Sequence, residues 1–355
     1  MSRELVDRIA DAVLYEGYVL YPYRPSIKNR QRWTFGGLYP EAYCQAHDSG
    51  DAWSNQTEIL VHGDSTTCLG VTVRFLHLLA RLVGELPAPL MRWPEQGEPV
   101  LRFVPSLRIG DRLFQAWQEA EERTVVCPDL PLGELLAQPW GTSFSFSGRR
   151  WLELLQGTTG EFIGALVREQ QAIEGAVEVS AAPADEGLFR VTIRVLNETP
   201  LAEAEHRDRD EALLRALVST HAILRVRQGK FVSLLDPPEN WREAAAACRN
   251  VGSWPVLVGP AGSRETMLSS PIILYDYPEV APESPGDFFD GTEIDEMLSL
   301  RIMTLTDEEK LAMAAVDDKA RALLTRTEAM LPEQMLGLHG TMRGLRSLTE
   351  ETSHD

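Results

Sequence analysis

The chain has 355 residues, 44% of them hydrophobic, and a formal net charge of −19. That length allows two or three domains with sizeable cores, while the negative charge excludes sequence-independent binding to nucleic acid or to an anionic membrane, both of which require basic surface. No apolar run approaches the roughly 18 to 20 residues of a membrane span, so no membrane insertion is expected.

In chain order, the opening MSRELVDRIADAVLYEGY lacks the basic-then-apolar order of a secretory signal, and a soluble cytoplasmic protein is the expectation. Leu5, Ile9 and Val13 recur at helical spacing behind Glu4 and Asp7, which predicts a short amphipathic helix. The stretches YEGYVLYPY, RQRWTFGGLYP, WSNQTEILVHG and CLGVTVRFLHLLARL are rich in aromatic and β-branched residues and are separated by Pro, Gly, Asp and Ser. They read as an antiparallel meander. Gly110-Asp111 supplies the turn of a further hairpin, because glycine tolerates the positive φ that tight hairpins need.

A second series of strands begins at Gly175, where Val191, Ile193 and Val195 alternate with Thr192 and Arg194 as in a half-buried sheet. HAILRVRQGKFVSLLD is expected to turn at Gly229, and WPVLVG and SSPIILYDY to continue the sheet. The Ala-rich ENWREAAAAC is a predicted helix. Beyond it, Thr292 is placed to cap one helix, and Thr306 with Glu309 forms the capping box of another that Pro332 ends. The fold class that follows is mainly β with α additions. It divides into a β-rich region with a leading helix at 1–160, an immunoglobulin-like or related β-sandwich at 170–285, and a helical segment with a frayed tail at 286–355.

Two stretches stand out chemically. Between Arg264 and Arg301 there is no Lys or Arg, while nine carboxylates accumulate, among them Asp276, Asp287, Asp290, Asp295 and Glu296. Carboxylates in such number suit a hard cation, a docking patch for a basic partner, or helix caps. Conversely, Tyr18, Tyr21, Tyr23, Arg24, Lys28, Arg30, Arg32 and Trp33 concentrate charge and aromatic rings in an otherwise acidic chain. Such a strip can hold an anion or stack rings, and it can equally pair with the acidic stretch of its own fold or of a second copy.

For metal, Cys44 and His47 form a C-x2-H pair and His62 and Cys68 follow it, a donor set that tetrahedral zinc accepts when the four converge. The plainer reading is four packed or hydrogen-bonded side chains. Cys44, Cys68, Cys127 and Cys248 form no CxxC pair, which suits reduced cytosolic thiols and disfavours a disulfide framework or an iron-sulfur centre. The usual signatures of a nucleophile elbow, a phosphate-binding loop, a dinucleotide fold and a zinc protease do not occur in the chain. Ser219-Thr220-His221 is a polar triplet ahead of an apolar strand, with His221 read as a buried core histidine. No catalytic residues or cofactor are assigned.

At YEGYVLYPYRPSIKNRQRWTFGGLYP, LVSTHAILRVRQGKFVSLLDPP and SSPIILYDYPEVAPESPGDFFDGTEIDEMLSLRIMTLTDEEK, the chain resembles a family of uncharacterised bacterial proteins encoded among nickel-iron hydrogenase genes. The resemblance implies an accessory role in the assembly, maturation or support of a hydrogenase, with a hydrogenase subunit or maturation protein as partner. It carries over no catalytic residue. Three readings result: a non-catalytic interaction protein presenting the two charged stretches; an enzyme or small-ligand protein using His221, Asp276, Asp287 and Asp290; and a metal carrier.

Overall fold

The computed structural model describes residues 6–11, 13, 14 and 36–278, together with 310, 321, 324 and 325. Residues 6–11, 13 and 14 are helical and form α1. After α2 (Glu41–Ala46) comes β1 (Ser54–Leu90), then β2 (Arg102–Val104), β3 (Ser106–Ile109), β4 (Arg112–Gln115), β5 (Trp117–Val126) and β6 (Leu130–Pro131). The short helix α3 (Leu132–Ala137) leads into β7 (Trp140–Phe146), β8 (Arg149–Gln156), β9 (Phe162–Gln170), β10 (Ile173–Asp185) and β11 (Leu188–Asn197). The last described elements are α4 (Arg209–Leu213), β12 (Leu217–Val232), α5 (Arg242–Ala246), β13 (Trp254–Leu257) and β14 (Thr266–Ser270). Twelve strands make one sheet, β3 and β4 form a separate hairpin, and every pairing between named strands is antiparallel.

The spine of the sheet is β1, 37 residues long. One edge pairs β12 from Leu60 to His77 and then β9 from Ala80 to Leu90. The other edge pairs β11 from Ser54 to His62, β6 at Cys68 and Leu69, β5 from Thr72 to Arg81, and β2 from Val83 to Glu85. Where two strands were expected around an Asp-Ser-Thr-Thr break, the chain makes a bulge at residues 64–67 and continues. Thr67 Oγ1 closes the bulge by donating to the Gln228 carbonyl at 2.6 Å and accepting from the Asp64 N–H at 2.9 Å. Gly229 does not turn the chain as the sequence implied. It sits inside β12 opposite Gly63, where a Cβ would stand 2.6 Å from Thr67 Cγ2, so glycine here serves close approach.

Alternation along β1 divides its side chains between two cores. Ile59, Val61, Leu69, Val71, Val73 and Phe75 join Val177, Ile193, Leu224 and Phe231 in the larger core, which α3 completes with Leu132 and Leu135. Leu76 and Leu78 face the other way, onto Leu14, Tyr39, Tyr43, Leu213 and Val218. The sheet is folded over on itself: the Phe75 ring lies 5.7 Å from Phe144 and 6.0 Å from Phe146. In a flat sheet β7 would lie three strands away from β1, about 14 Å. Helix α1 rests on the outer face of β12 to β14, with Val6, Ile9, Ala10 and Val13 against Ile223, Val256 and Leu268.

Strands from both sides of the expected 160–170 boundary belong to this one sheet. The stretch PIILYDY, expected as strand, leaves the sheet after β14, and Ile273 and Tyr275 are exposed. The predicted C-terminal helices fall outside the described residues apart from Lys310, Arg321, Leu324 and Thr325, all four of which are helical. Among the described residues, no helix is long and apolar enough to cross a membrane.

Candidate functional site

The residues singled out by sequence are distributed across the molecule. Tyr21, Arg24, Lys28, Arg30, Arg32 and Trp33, with Asp287, Asp290 and Asp295, lie outside the described residues. Asp276 is described: its carboxylate accepts from Ser233 Oγ and, at 2.7 Å, from the Leu257 N–H, while Tyr277 N–H donates to the Leu257 carbonyl at 2.7 Å. These bonds cover the outer edge of β13, which a protein must otherwise leave open. His221 Nδ1 bonds the Ser219 carbonyl instead. Among the described residues, no hydrogen bond joins His221 to Asp276.

The four metal candidates also separate. Cys44 sits on α2, and burial beside Asp51 pushes its thiol up to about 11. His47 stacks on Tyr43 and its Nε2 lies 2.9 Å from the Ala204 carbonyl. His62 stacks on Trp241 at 5.0 Å, and Cys68 Sγ bonds the Thr66 carbonyl within the β1 bulge. Among the described residues, no group of three or more His, Cys, Asp or Glu side chains is placed to hold a metal ion.

What the structure does assemble is a strained polar corner at Ser219-Thr220-His221. Between His221 and Val218 the register of β12 against Arg74 and Leu76 slips by one residue, and Ser219 takes φ 53°, the left-handed region that β-carbons disfavour. All three residues are buried. Every hydrogen bond at the corner has a use: Ser219 Oγ donates to the Val13 carbonyl at 3.1 Å, Thr220 N–H donates to the Gly36 carbonyl at 3.2 Å, and Thr220 Oγ1 donates to the Leu217 carbonyl at 2.9 Å. His221 Nδ1 donates to the Ser219 carbonyl at 3.0 Å, which leaves Nε2 as the unprotonated nitrogen. Burial holds this imidazole neutral, with its pKa pushed down to about 4.

The consequence is topological. Val13 and Gly36 flank the basic and aromatic strip, and adjacent residues of one bulge grip both flanks. Leu38 reinforces the grip by exchanging two 2.9 Å hydrogen bonds with Leu217. Gly36, at φ 56°, packs so closely on Pro271 that a Cβ there would collide with its ring. Strain in a buried non-glycine residue persists only where the surroundings enforce it, and it concentrates at sites of use.

A second polar assembly escaped the sequence reading. Beyond Phe75 the inner face of β1 continues through His77 and Arg81, opposite Glu121 and Trp117 of β5, and meets Arg168 and Gln170 of β9 and Arg149 of β8. Glu119 accepts from Arg81 at 2.9 Å and from Arg168 at 2.6 Å, and Arg168 donates again to Glu153 at 2.8 Å. Glu121 receives both Arg123 and Arg149, which also converge on Gln170 Oε1 at 3.2 and 3.0 Å. His77 is fully buried at its centre. Neither ring nitrogen finds a hydrogen bond of good geometry among the described residues, although the Gln171 backbone lies close. Burial and the Arg123 guanidinium push its pKa down to about 4. The alternation Glu119-x-Glu121-x-Arg123 was the available signal, since period two places all three on one face.

Cys44, Cys127 and Cys248 and the two buried histidines thus sit in their uncharged forms. Burial pushes the thiols of Cys127 and Cys248, like that of Cys44, up to about 11, far from the lowered values of nucleophilic cysteines. Compared with known proteins, the chain matches no protein-family model and no curated protein.

Proposed function

We propose that the protein is a non-catalytic accessory protein that supports the assembly or maturation of a nickel-iron hydrogenase through protein-protein contacts. The observation that carries the interaction reading is the Ser219-Thr220 bulge, which holds Val13 and Gly36 at the two flanks of the strip containing Tyr21, Arg24, Lys28, Arg30, Arg32 and Trp33. A segment fixed at both ends loses less entropy on binding than a free one, so fixed flanks favour recognition. The neutral, buried His221 and the raised thiols support binding over catalysis. The identity of the partner rests on the resemblance of the three sequence blocks quoted above. In this reading the curled sheet serves as a sandwich-like, cytoplasmic scaffold for the interaction.

The test is a deletion strain of the native host together with affinity capture of the tagged protein. Reduced hydrogenase activity in the deletion strain and recovery of a hydrogenase subunit or maturation protein are expected. Unchanged activity with no such protein recovered overturns the proposal. Replacing Arg24, Lys28, Arg30 and Arg32 together by Gln should abolish the capture while leaving the melting temperature in place.

A further inference from the structure

Sheet edges are usually protected against stray pairing by charge, proline, irregularity or cover, and three edges of this sheet follow that rule. β13 contains Pro255 and is covered by Asp276 and Tyr277. β8 carries Arg149, Arg150 and Glu153, and β5 carries Glu119, Glu121, Glu122 and Arg123. β7 is the exception. Its sequence WGTSFSF holds no charge and no proline, and it pairs with β10 over all seven residues without a register shift. Among the described residues no strand and no backbone hydrogen bond engages its other edge.

From this edge we infer that β7 is a strand-addition site for an extended peptide of a partner protein in which apolar and basic residues alternate. Three features set that pattern. On the inner face Trp140, Phe144 and Phe146 remain half-buried although they pack against the main core, so the inward side chains of an added strand would complete their cover. Beside Trp140 a groove of about 430 Å3 opens between Leu130, Pro131, Leu135, Ala137 and Pro139, deep enough to seat one apolar side chain at the strand end. Two unpaired carboxylates lie beside the strand: Glu174, opposite Ser145 on the outer face, and Glu134 at the rim of the groove, both exposed and both without a salt bridge among the described residues, whereas Glu178, opposite Gly141, is already paired with Arg194. Basic side chains at alternate positions of the added strand answer them, because a lysine reaches across one neighbouring strand. A second copy of the chain is the less suited occupant, since two bodies of net charge −19 repel. Main-chain bonds to β7 would supply affinity and the alternating pockets specificity.

The inference rests on the binding reading above but can fail separately from it, because its test uses no hydrogenase. The probes are two synthetic peptides, one alternating Lys and Val over seven residues and one alternating Glu and Val. They are added to the full chain and followed by fluorescence anisotropy and by amide hydrogen exchange. The basic peptide is expected to bind and to slow exchange at residues 140–146, with β8 and β13 unchanged, and the acidic peptide to bind at least tenfold more weakly. Ser143→Pro should weaken binding of the basic peptide about tenfold. Ser143→Lys, which adds an exposed charge without touching the core, should weaken it about threefold and keeps the test valid if the proline variant fails to fold. Equal binding of both peptides, slowed exchange at other edges, or no slowing at β7 overturns the inference. So does slow exchange at the outward-facing amides of Gly141, Ser143 and Ser145 before any peptide is added, whether independent of protein concentration, which puts another segment of this chain on the edge, or dependent on it, which puts a second copy there.

Discussion

Two stretches of the inner face of β1 meet at Phe75 and are built on opposite principles. Toward the N-terminus, Ile59, Val61, Leu69, Val71, Val73 and Phe75 are dry and fully packed. Toward the C-terminus, His77 and Arg81 are as deeply buried, yet they stand among Arg123, Arg149, Arg168, Glu119 and Glu121. The first region is held by contact and tolerates little loss of volume. The second is held by paired charges, whose mutual attraction must offset their desolvation, so its stability depends on which partner is removed and on pH. One strand therefore links a region indifferent to solution conditions with one that responds to them.

The sharpest break between the two comes from Phe75→Ala. Loss of a ring packed on Phe144 and Phe146 should cost about 3 to 5 kcal/mol, read as a lower denaturation midpoint with an equal loss at pH 5 and pH 8. In contrast, the polar region should respond to acid. His77 binds a proton near pH 6.5 when unfolded and only near pH 4 when folded. The unfolded state therefore takes up more protons between those values, and the stabilisation, complete above pH 6.5, declines as pH falls toward 4 by about 3 kcal/mol. His77→Gln should flatten that slope in denaturation curves collected across this window, whereas Phe75→Leu should leave it. His221, similarly depressed, contributes a parallel slope, so the double variant with His221→Gln isolates both.

Charge removal gives the next effect. Glu119→Ala takes a shared carboxylate from Arg81, which keeps the Gln115 carbonyl, and from Arg168, which keeps Glu153, and should cost about 2 kcal/mol, less than a fully buried pair because both Arg168 and Glu119 also keep some exposure. Replacing Glu119, Arg81 and Arg168 together with apolar residues should recover part of that loss, and failure to do so in urea titrations would mean the network is not limited by desolvation. The smallest effect is expected at the bulge. Ser219→Ala keeps the strained φ and loses the bond to Val13, for about 1 to 2 kcal/mol, while Ser219→Gly relieves the φ and should cost less. Faster amide exchange in α1 of the alanine variant would report the loosened flank directly.

Much of the sheet was legible in the sequence where one face is wet. The alternation of Val191, Ile193 and Val195 appears as β11 with all three residues buried, and Gly110, at φ 58°, makes the turn between β3 and β4. Legibility failed where tertiary neighbours decide the outcome. The cluster DSTT carries turn residues, but Thr67 spends its hydroxyl on Gln228 of β12, which lies 161 positions away and converts a turn into a bulge. Gly229 looked like a hairpin tip because its reason for being glycine, the approach of Thr67, is non-local. The site was harder still. Ser219-Thr220-His221 could be seen as polar, but the carbonyls of Val13 and Gly36 that it binds are invisible to spacing arguments.

The length of β1 has a consequence for synthesis. Its partner β12 on one edge ends at Val232 and its partner β11 on the other at Asn197, so the ribosome must add 142 residues after Leu90 before Val232 can pair with Leu60. At about 5 to 20 residues per second, the strand waits roughly 7 to 30 seconds with its apolar face unpaired. A fold of such non-local contacts is slow to form and exposed to aggregation meanwhile. Expression at reduced temperature or with chaperones in excess should therefore raise the soluble yield of this protein more than any change to its surface.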